Sequence, residues 1–414
     1  MENSKTMLAQ PIQVGRRIAN NRFVINAMEC CDATEDGSFS ESAFERYQKL
    51  IEGNAGIIFF ESFTLQWDSR ARKNQLGMMP QNLKILENAI RRLKEVNDKP
   101  ILIFQLNHSG EVSGGEFSKP VCVKPLYGKS GEVVSEEYVD KTIQDFINAS
   151  KILYDIGADG VDLKFCHGYF GSQVLRPYND RKWKYGGSWE NRSRFAFDMV
   201  EGVRKLVPDK NFLVGSKISI WEGFPGGQGT AGPDTPVMDL TESIALCKGL
   251  EERGVSFIMQ SSGAAKTTKS LQIPSKHKPD DAYLNFYFAK VVKNSVKPET
   301  VVIGSAYTAI TNGNNILRSV TPEQNNLLHW GNYNIAHGYT DMIALGRQSF
   351  ADPYLPLKYL EGREDEISWC KVCDCCYELL TRQQEVGCVI YNKKYAEIFK
   401  KQREQFGKFD LVIS

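Results

Sequence analysis

Eight short runs of apolar, largely β-branched residues alternate with longer amphipathic segments along most of this 414-residue chain. Such alternation is typical of parallel β-strands joined by helices. We predict strands at residues 23–28, 55–61, 100–106, 160–165, 212–219, 256–260, 300–305 and 342–346. We predict helices near residues 41–52, 82–96, 136–156, 189–206, 238–253, 283–294, 322–338 and 353–361. The number and order of these elements predict an α/β fold, a (β/α)₈ TIM barrel.

Two of the predicted connections are too long to be simple turns. Residues 107–136 follow the third strand, and residues 261–282 follow the sixth. Loops at the carboxyl ends of barrel strands build the active site, so both are expected to form a lid or a substrate loop. Surface decoration is the alternative for their tips. His277 in the second loop is either a substrate contact or, more in keeping with a loop, a solvated side chain.

The composition favours a small-molecule partner over nucleic acid or a membrane. Fifty-one Lys and Arg residues stand against 50 Asp and Glu residues, a net charge of +1. Such a chain has no broad field that would attract a polyanion. No apolar run approaches the roughly 20 residues that a transmembrane helix needs. The amino terminus has no signal-peptide core. We therefore expect a soluble, cytoplasmic protein.

The fourth predicted strand runs directly into a cluster of titratable side chains. Lys164, His167 and Tyr169 lie within six residues at its carboxyl end, where a barrel builds its active site. Each residue alone would be read as a solvated lysine, a core histidine or a packing tyrosine. Together at one strand end they predict catalytic chemistry. Behind them, Ser188 is suited to cap the next helix.

Glycines follow the seventh and eighth predicted strands, where barrels commonly bind phosphate. Gly304 and Ser305 end one strand, and Gly346 and Arg347 end the next. Glycine allows backbone N–H groups to approach a phosphate, and arginine adds a charge-assisted contact. This pairing predicts a phosphorylated ligand. A flavin-like ring would then need polar partners in the barrel mouth, which Gln105 and Lys217 are placed to supply.

Four strings then carry a family resemblance: NRFVINAM, QLNHSG, CHGYF with YGGSWENRSRF, and ALGRQSFADP. Over about residues 8–362 the chain resembles the Old Yellow Enzyme family of FMN-dependent oxidoreductases. Within it, the chain looks like the branch of 2,4-dienoyl-CoA reductase and trimethylamine dehydrogenase, but without their carboxyl-terminal nucleotide-binding domains. The resemblance implies that FMN is held by Ala27, Met28, Gln105, Lys217, Gly304, Ser305, Gly346 and Arg347. Relatives commonly have arginine where Lys217 stands, so its ring contact is expected to be a single-point interaction.

The resemblance also assigns roles to the cluster after the fourth strand. In the family's reductases a His/His or His/Asn pair binds the substrate carbonyl, and a tyrosine donates the proton. Here Tyr169 is the expected donor and His167 the second member of the pair, while Lys164 replaces the first. The expected reaction is hydride transfer from FMN to the β-carbon of an α,β-unsaturated carbonyl compound. The alternatives are oxidation of an amine or alcohol, or service as an FMN and iron–sulfur electron-transfer subunit.

Five of the ten cysteines are crowded into residues 370–388. Cys370, Cys373, Cys376 and Cys388 are spaced C-x2-C-x2-C-x11-C, which suits a [4Fe–4S] cluster. Zinc, which four thiolates also satisfy, is the next hypothesis. The family pattern is C-x2-C-x3-C-x11-C, one residue longer, and Cys375 is an alternative third ligand. We prefer Cys376 because it retains the eleven-residue spacer.

The segment after the cysteines is too short for a nucleotide-binding domain. Only 26 residues follow Cys388. The expected electron source is therefore NADH or NADPH binding over the flavin, or a separate electron-donor protein. We predict an FMN-binding barrel over residues 1–365 and a cysteine-rich cluster segment with a terminal basic helix over 366–414. A homo-oligomer is an open option.

Overall fold

Eight parallel strands form a closed barrel in chain order, as predicted. The structure, a computed structural model, describes residues 2–126, 131–275, 278–310, 321 and 325–407. His277 lies outside the described residues. The barrel strands are β1 (Phe23–Ile25), β2 (Ile57–Thr64), β3 (Ile101–Asn107), β4 (Gly160–Leu163), β5 (Leu213–Ser219), β6 (Phe257–Ser261), β7 (Val301–Gly304) and β8 (Met342–Leu345). Each overlaps one predicted strand.

Every second residue of a strand faces the barrel interior, and its chemistry changes along the axis. On β3 the interior positions Ile101 and Ile103 are followed by Gln105, and on β5 Leu213 is followed two positions later by Gly215 and then by Lys217. Gly215 is required here, because a Cβ would lie 2.3 Å from the ring of Phe257. The interior is therefore an apolar plug at the amino end and a polar surface at the carboxyl end.

Helices surround the barrel and bury the outer faces of the strands. They are α1 (Glu41–Glu52), α2 (Leu83–Val96), α3 (Glu136–Asp155), α4 (Trp189–Leu206), α5 (Thr241–Glu252), α6 (Asp280–Lys293), α7 (Leu327–Ala336) and α8 (Leu355–Leu360). Serine side chains cap α1, α3 and α4, and the cap of α4 is the predicted Ser188. A stack of Tyr47, Phe60 and Phe104 joins α1 to β2 and β3 with centroid separations of 4.1 and 4.2 Å.

Several short elements of the described chain were not predicted from the sequence, and three of them lie at the ends of the barrel or in its long loops. A hairpin of Ile12–Val14 and Arg17–Ala19 closes the amino end of the barrel, where Val14 and Ala19 join the interior core. In the long loop after β3, Val121–Cys122 pairs with Glu132–Val133. After β6, a helical turn at Lys269–Gln272 borders the barrel mouth.

The cysteine-rich segment packs against the barrel mouth. It contains α9 (Cys375–Thr381) and α10 (Lys393–Phe406). Val386 N donates to Cys30 O at 2.9 Å, and Cys30, Leu379 and Tyr395 share a small apolar core. Among the described helices, none combines the length and the apolar character that crossing a membrane requires.

Candidate active site

A cleft with an empty volume of about 1200 Å³ opens at the carboxyl end of the barrel. Eleven of the predicted site residues line it: Ala27, Met28, Gln105, Lys164, His167, Tyr169, Lys217, Ser305, Gly346, Arg347 and Cys376. Gly304, Cys370, Cys373 and Cys388 do not. The residues predicted from separate strand ends therefore meet at one cleft.

Two polar side chains form the floor of the cleft. Lys217 Nζ donates to Asn26 Oδ1 at 2.9 Å. Gln105 Nε2 donates to Asp162 Oδ2 at 2.7 Å, and Gln105 Oε1 accepts from Ser62 Oγ at 2.8 Å. Burial lowers the pKa of Lys217 and raises that of Asp162. A fixed amide and a buried ammonium therefore both face the cleft, as an electron-rich heterocycle would require.

The ends of β7 and β8 form the opposite side of the cleft. Ala306, directly after Ser305, has a φ of 73°, a left-handed conformation that costs an alanine energy and is typical of functional turns. Ser305 N and Oγ share Gln260 Oε1 at 3.3 and 3.2 Å. The Arg347 guanidinium is buried and forms an ion pair with Asp374 of the cysteine segment.

Lys164, His167 and Tyr169 come together as predicted. Lys164 Nζ lies 3.5 Å from the centroid of the Tyr169 ring. His167 has a φ of 63°, and its backbone N donates to Ser219 Oγ at 3.0 Å. This strained turn directs the imidazole to Ser261 Oγ, 2.7 Å from Nε2. Side chains from β4, its following turn and β6 thereby reach one side of the cleft.

Glu29, to which no role was assigned from the sequence, links two of these side chains. Its Oε1 accepts from Tyr169 OH at 2.8 Å and from Lys164 Nζ at 3.3 Å. Its Oε2 accepts from Arg72 Nε at 2.7 Å. Ser62 Oγ accepts from Lys164 Nζ at 2.7 Å. No motif marked Glu29 or Arg72, because both lie in loops whose direction only the folded barrel determines.

Burial and charge set the protonation of these groups. Burial pushes the pKa of Glu29 upward, but the charges of Arg72 and Lys164 overcome it and lower the value to about 2. Burial, then the Lys217 and Lys164 charges, lower the pKa of His167 well below its usual range. Burial, then the Glu29 charge, raise that of Tyr169 well above its usual range. At neutral pH the site therefore holds a carboxylate, a neutral imidazole and a protonated phenol.

His108 and Cys166 lie near the carboxyl end of the barrel but do not line this cleft. His108 Nε2 is 2.8 Å from Tyr138 OH, and its Nδ1 accepts from Gly110 N at 3.1 Å. Both ring nitrogens of His108 are thus engaged at the start of the long loop after β3. Cys166 is fully buried in the core.

The four predicted cluster ligands lie near one another on the cysteine segment. Cys370 interacts electrostatically with Cys373 and Cys388, and Cys376 interacts with Cys370 and Cys373. Cys375 interacts with Cys373, Cys376 and Arg403, on the α10 side. Among the described residues, no three of these thiols come within 4.8 Å of one another.

The donor set of the cleft fits FMN. The buried Lys217 ammonium and the Gln105 amide face a ring-sized space, and small side chains such as Ala27 and Ala344 border it. Arg347 and the strained turn at Ala306 lie at the side where a phosphate was predicted.

Residues 7–366 match the sequence profile of the NADH:flavin oxidoreductase / NADH oxidase family. The chain belongs to this family. The prediction of an FMN-dependent oxidoreductase family of the Old Yellow Enzyme type is thereby confirmed. FMN is the family's cofactor and a nicotinamide nucleotide its electron donor.

Two curated relatives cover almost the whole chain. The NADH oxidase of Thermoanaerobacter brockii is 27% identical over 87% of this chain and 52% of its own length. The cinnamate reductase of Clostridium sporogenes is 26% identical over 97% of this chain and 61% of its own length. The chain thus spans little more than half of each of these relatives.

Solved structures of similar proteins confirm the (β/α)₈ fold. A 2-naphthoyl-CoA reductase in complex with 2-naphthoyl-CoA has a TM-score of 0.80 at 20% identity, covering 95% of this chain and 58% of the other. The Old Yellow Enzyme of Trypanosoma cruzi has a TM-score of 0.66 at 18% identity, covering 87% and 93%.

Proposed function

We propose that this chain is an FMN-dependent oxidoreductase that reduces the C=C bond of an α,β-unsaturated carbonyl compound. One observation carries the proposal: Lys164, His167 and Tyr169 line the same cleft as Gln105 and Lys217. Carbonyl-polarising groups and a proton donor therefore face the space that suits a flavin ring.

The chain's own residues have distinct tasks in this reaction. FMN, when bound, supplies the hydride that goes to the β-carbon of the alkene. Lys164 and the neutral His167 donate to the carbonyl oxygen and stabilise the negative charge that develops there. Tyr169 keeps its proton at neutral pH and delivers it to the α-carbon. Lys217 offers positive charge to the reduced ring. Ala27, Met28, Ser305, Gly346 and Arg347 border the cleft and hold the cofactor, and Gly304 sets the backbone before Ser305.

The charges at the substrate end favour this reaction over the oxidation of an amine. Among the described residues that line this part of the cleft, the two cations Lys164 and Arg72 outnumber the single carboxylate, Glu29. An ammonium substrate would be repelled by the two cations, whereas a developing enolate would be stabilised. A neutral alcohol carries no charge for these cations to repel, so direct assay separates alcohol oxidation from alkene reduction.

Cys370, Cys373, Cys376 and Cys388 are proposed to hold a [4Fe–4S] cluster in the segment 366–414, beyond an FMN barrel of residues 1–365. Cys376 supports this assignment because it is the one of the four that also borders the flavin cleft. Electrons would then pass between flavin and cluster over a short distance. The electron donor is NADH or NADPH, with a separate donor protein as the alternative. A cytoplasmic location remains our prediction.

An anaerobic absorbance titration tests the proposed function. NADH or NADPH should bleach the flavin bands of protein purified without oxygen, and an enone or an enoyl thioester should restore them. Cinnamate belongs in the substrate panel because the chain is similar to the cinnamate reductase of Clostridium sporogenes. Bleaching by an amine or alcohol alone would contradict the reductive assignment, and a colourless protein would contradict the flavin.

A further inference from the structure

Arg72 is a cleft residue that the proposed reaction leaves unused. It lies in the loop after β2 and lines the cleft beside Glu29. Its Nε donates to Glu29 at 2.7 Å and its Nη1 to Ala71 O at 3.3 Å. Among the described residues, no acceptor is hydrogen-bonded to Nη2. The guanidinium is therefore fixed by its inner edge and open at its outer end.

We infer that the substrate carries a carboxylate and that the outer end of Arg72 binds it. This inference rests on the proposed function and narrows its substrate class to anionic unsaturated carbonyl compounds. A guanidinium presents parallel donors that match the two oxygens of a carboxylate. With Nε already held by Glu29, the remaining donors have little freedom to lose when an anion binds.

The charge balance of the cleft supports the inference. Among the described residues that line the cleft, Glu29 is the only acidic one. Five of the lining side chains are cationic: Arg72, Lys164, Lys217, Lys269 and Arg347. A flavin phosphate and the reduced ring would offset charge near Arg347 and Lys217. Lys269 lies over the ring of Tyr377 at 3.3 Å. At the substrate end, Glu29 neutralises one of two cations, which leaves a net positive charge.

The arrangement also fixes where the carboxylate would lie. Glu29 receives Tyr169 and Lys164 on Oε1 and Arg72 on Oε2. Arg72 is thus separated from the proposed proton donor by a single carboxylate group. A substrate acid on Arg72 would place the neighbouring carbons beside Tyr169 and the carbonyl within reach of Lys164. Glu29 then acts as a positioning residue that keeps Arg72 from folding onto the reacting carbonyl.

A matched pair of substrates tests this assignment. A cyclohexenone carboxylate and its methyl ester present the same alkene with and without the charge. We expect the acid to exceed the ester in kcat/KM by about tenfold or more, mainly through KM, because hydrogen bonds to charged groups are the strong ones. In Arg72→Gln this acid-to-ester ratio should fall towards one. Arg72→Lys should retain part of it, and Arg91→Gln, on the outer helix α2, should leave it unchanged.

Binding provides an independent measurement. The saturated acid and ester, titrated into the oxidised holoenzyme, should perturb the flavin spectrum with the same preference, and the preference should weaken with salt. The inference would be overturned by an acid-to-ester ratio at or below one in the parent enzyme, or by a ratio that is unchanged in Arg72→Gln. In either case, reduction of the ester would still support the proposed function. If the enzyme reduced neither compound but still bound the acid more tightly than the ester, the result would count against the proposed reaction. It would support the binding of a carboxylate by Arg72.

Discussion

At the residue scale, one buried carboxylate organises the substrate end of this site. Glu29 accepts from Tyr169 and Lys164, which both follow β4, and from Arg72 in the loop after β2. The sequence located Lys164 and Tyr169, since both follow a strand whose apolar run is easily read. It could not locate Glu29 or Arg72, because their importance depends on contacts across the barrel rather than on spacing along the chain.

Tyr169→Phe should separate proton transfer from hydride chemistry. The substitution removes the phenolic hydroxyl but keeps the ring on which the Lys164 ammonium rests. Loss of a general acid typically costs about 10²–10⁴ in rate. We expect a loss in that range for enone reduction, with flavin reduction by NAD(P)H close to the parent rate. Stopped-flow absorbance measures both steps, and an equal loss in both would contradict the assignment.

Glu29→Gln should shift the pH dependence of the reaction. Tyr169 must be protonated to donate, so kcat/KM falls as pH rises through its pKa. Burial and then Glu29 raise that pKa, while Arg72 lowers it. Removing the carboxylate charge therefore moves the basic limb to lower pH. Glu29→Asp keeps the charge and is the control. A tyrosinate absorbance titration gives a second reading, and an unmoved limb in both would refute the link between Glu29 and Tyr169.

At the element scale, strands were predictable because period and composition agree along them. The interior positions of β3 pass from Ile101 and Ile103 to Gln105, and that change already marked the active end. The spacing of the cysteines was predictable as a motif, but the contacts that attach this segment to the barrel were not. Gln348 holds it by accepting from Cys370 N and donating to Ser368 O, both at 2.9 Å. No local pattern announces such a contact.

The turn at Asp374 assigns different tasks to the adjacent Cys375 and Cys376. Asp374 has a φ of 58°, after which α9 directs Cys376 into the flavin cleft and Cys375 towards Arg403. Cys375→Ser should therefore retain about four iron atoms per chain and the cluster's EPR signal after reduction. Cys376→Ser should lose both, with FMN content as the control for folding. Loss of iron in Cys375→Ser and its retention in Cys376→Ser would make Cys375 the ligand. Zinc in place of iron in the parent protein would refute the cluster.

At the scale of the whole molecule, the barrel closes through a plug at one end and leaves a cleft at the other. The eight-strand count predicted the closure, but not the Ile12–Ala19 hairpin that seals the amino end, because its two strands have three residues each. At the cleft, the sequence analysis predicted only one contact for Arg347, with the phosphate of the ligand. The fold also pairs Arg347 with Asp374, so cofactor site and cysteine segment share one guanidinium.

That shared arginine makes FMN loading a test of the whole arrangement. FMN at a hundredfold excess over Kd should raise the free energy of unfolding by about 2.7 kcal/mol, because it binds the folded chain alone. In Arg347→Gln with Asp374→Asn, which avoids a buried unpaired carboxylate, we expect FMN affinity to fall about tenfold or more. Riboflavin, which lacks the phosphate, should bind both proteins equally. Fluorescence titration gives the two affinities and thermal melting gives the stabilisation. Equal losses for FMN and riboflavin would mean that Arg347 supports the fold of the mouth and does not bind the phosphate.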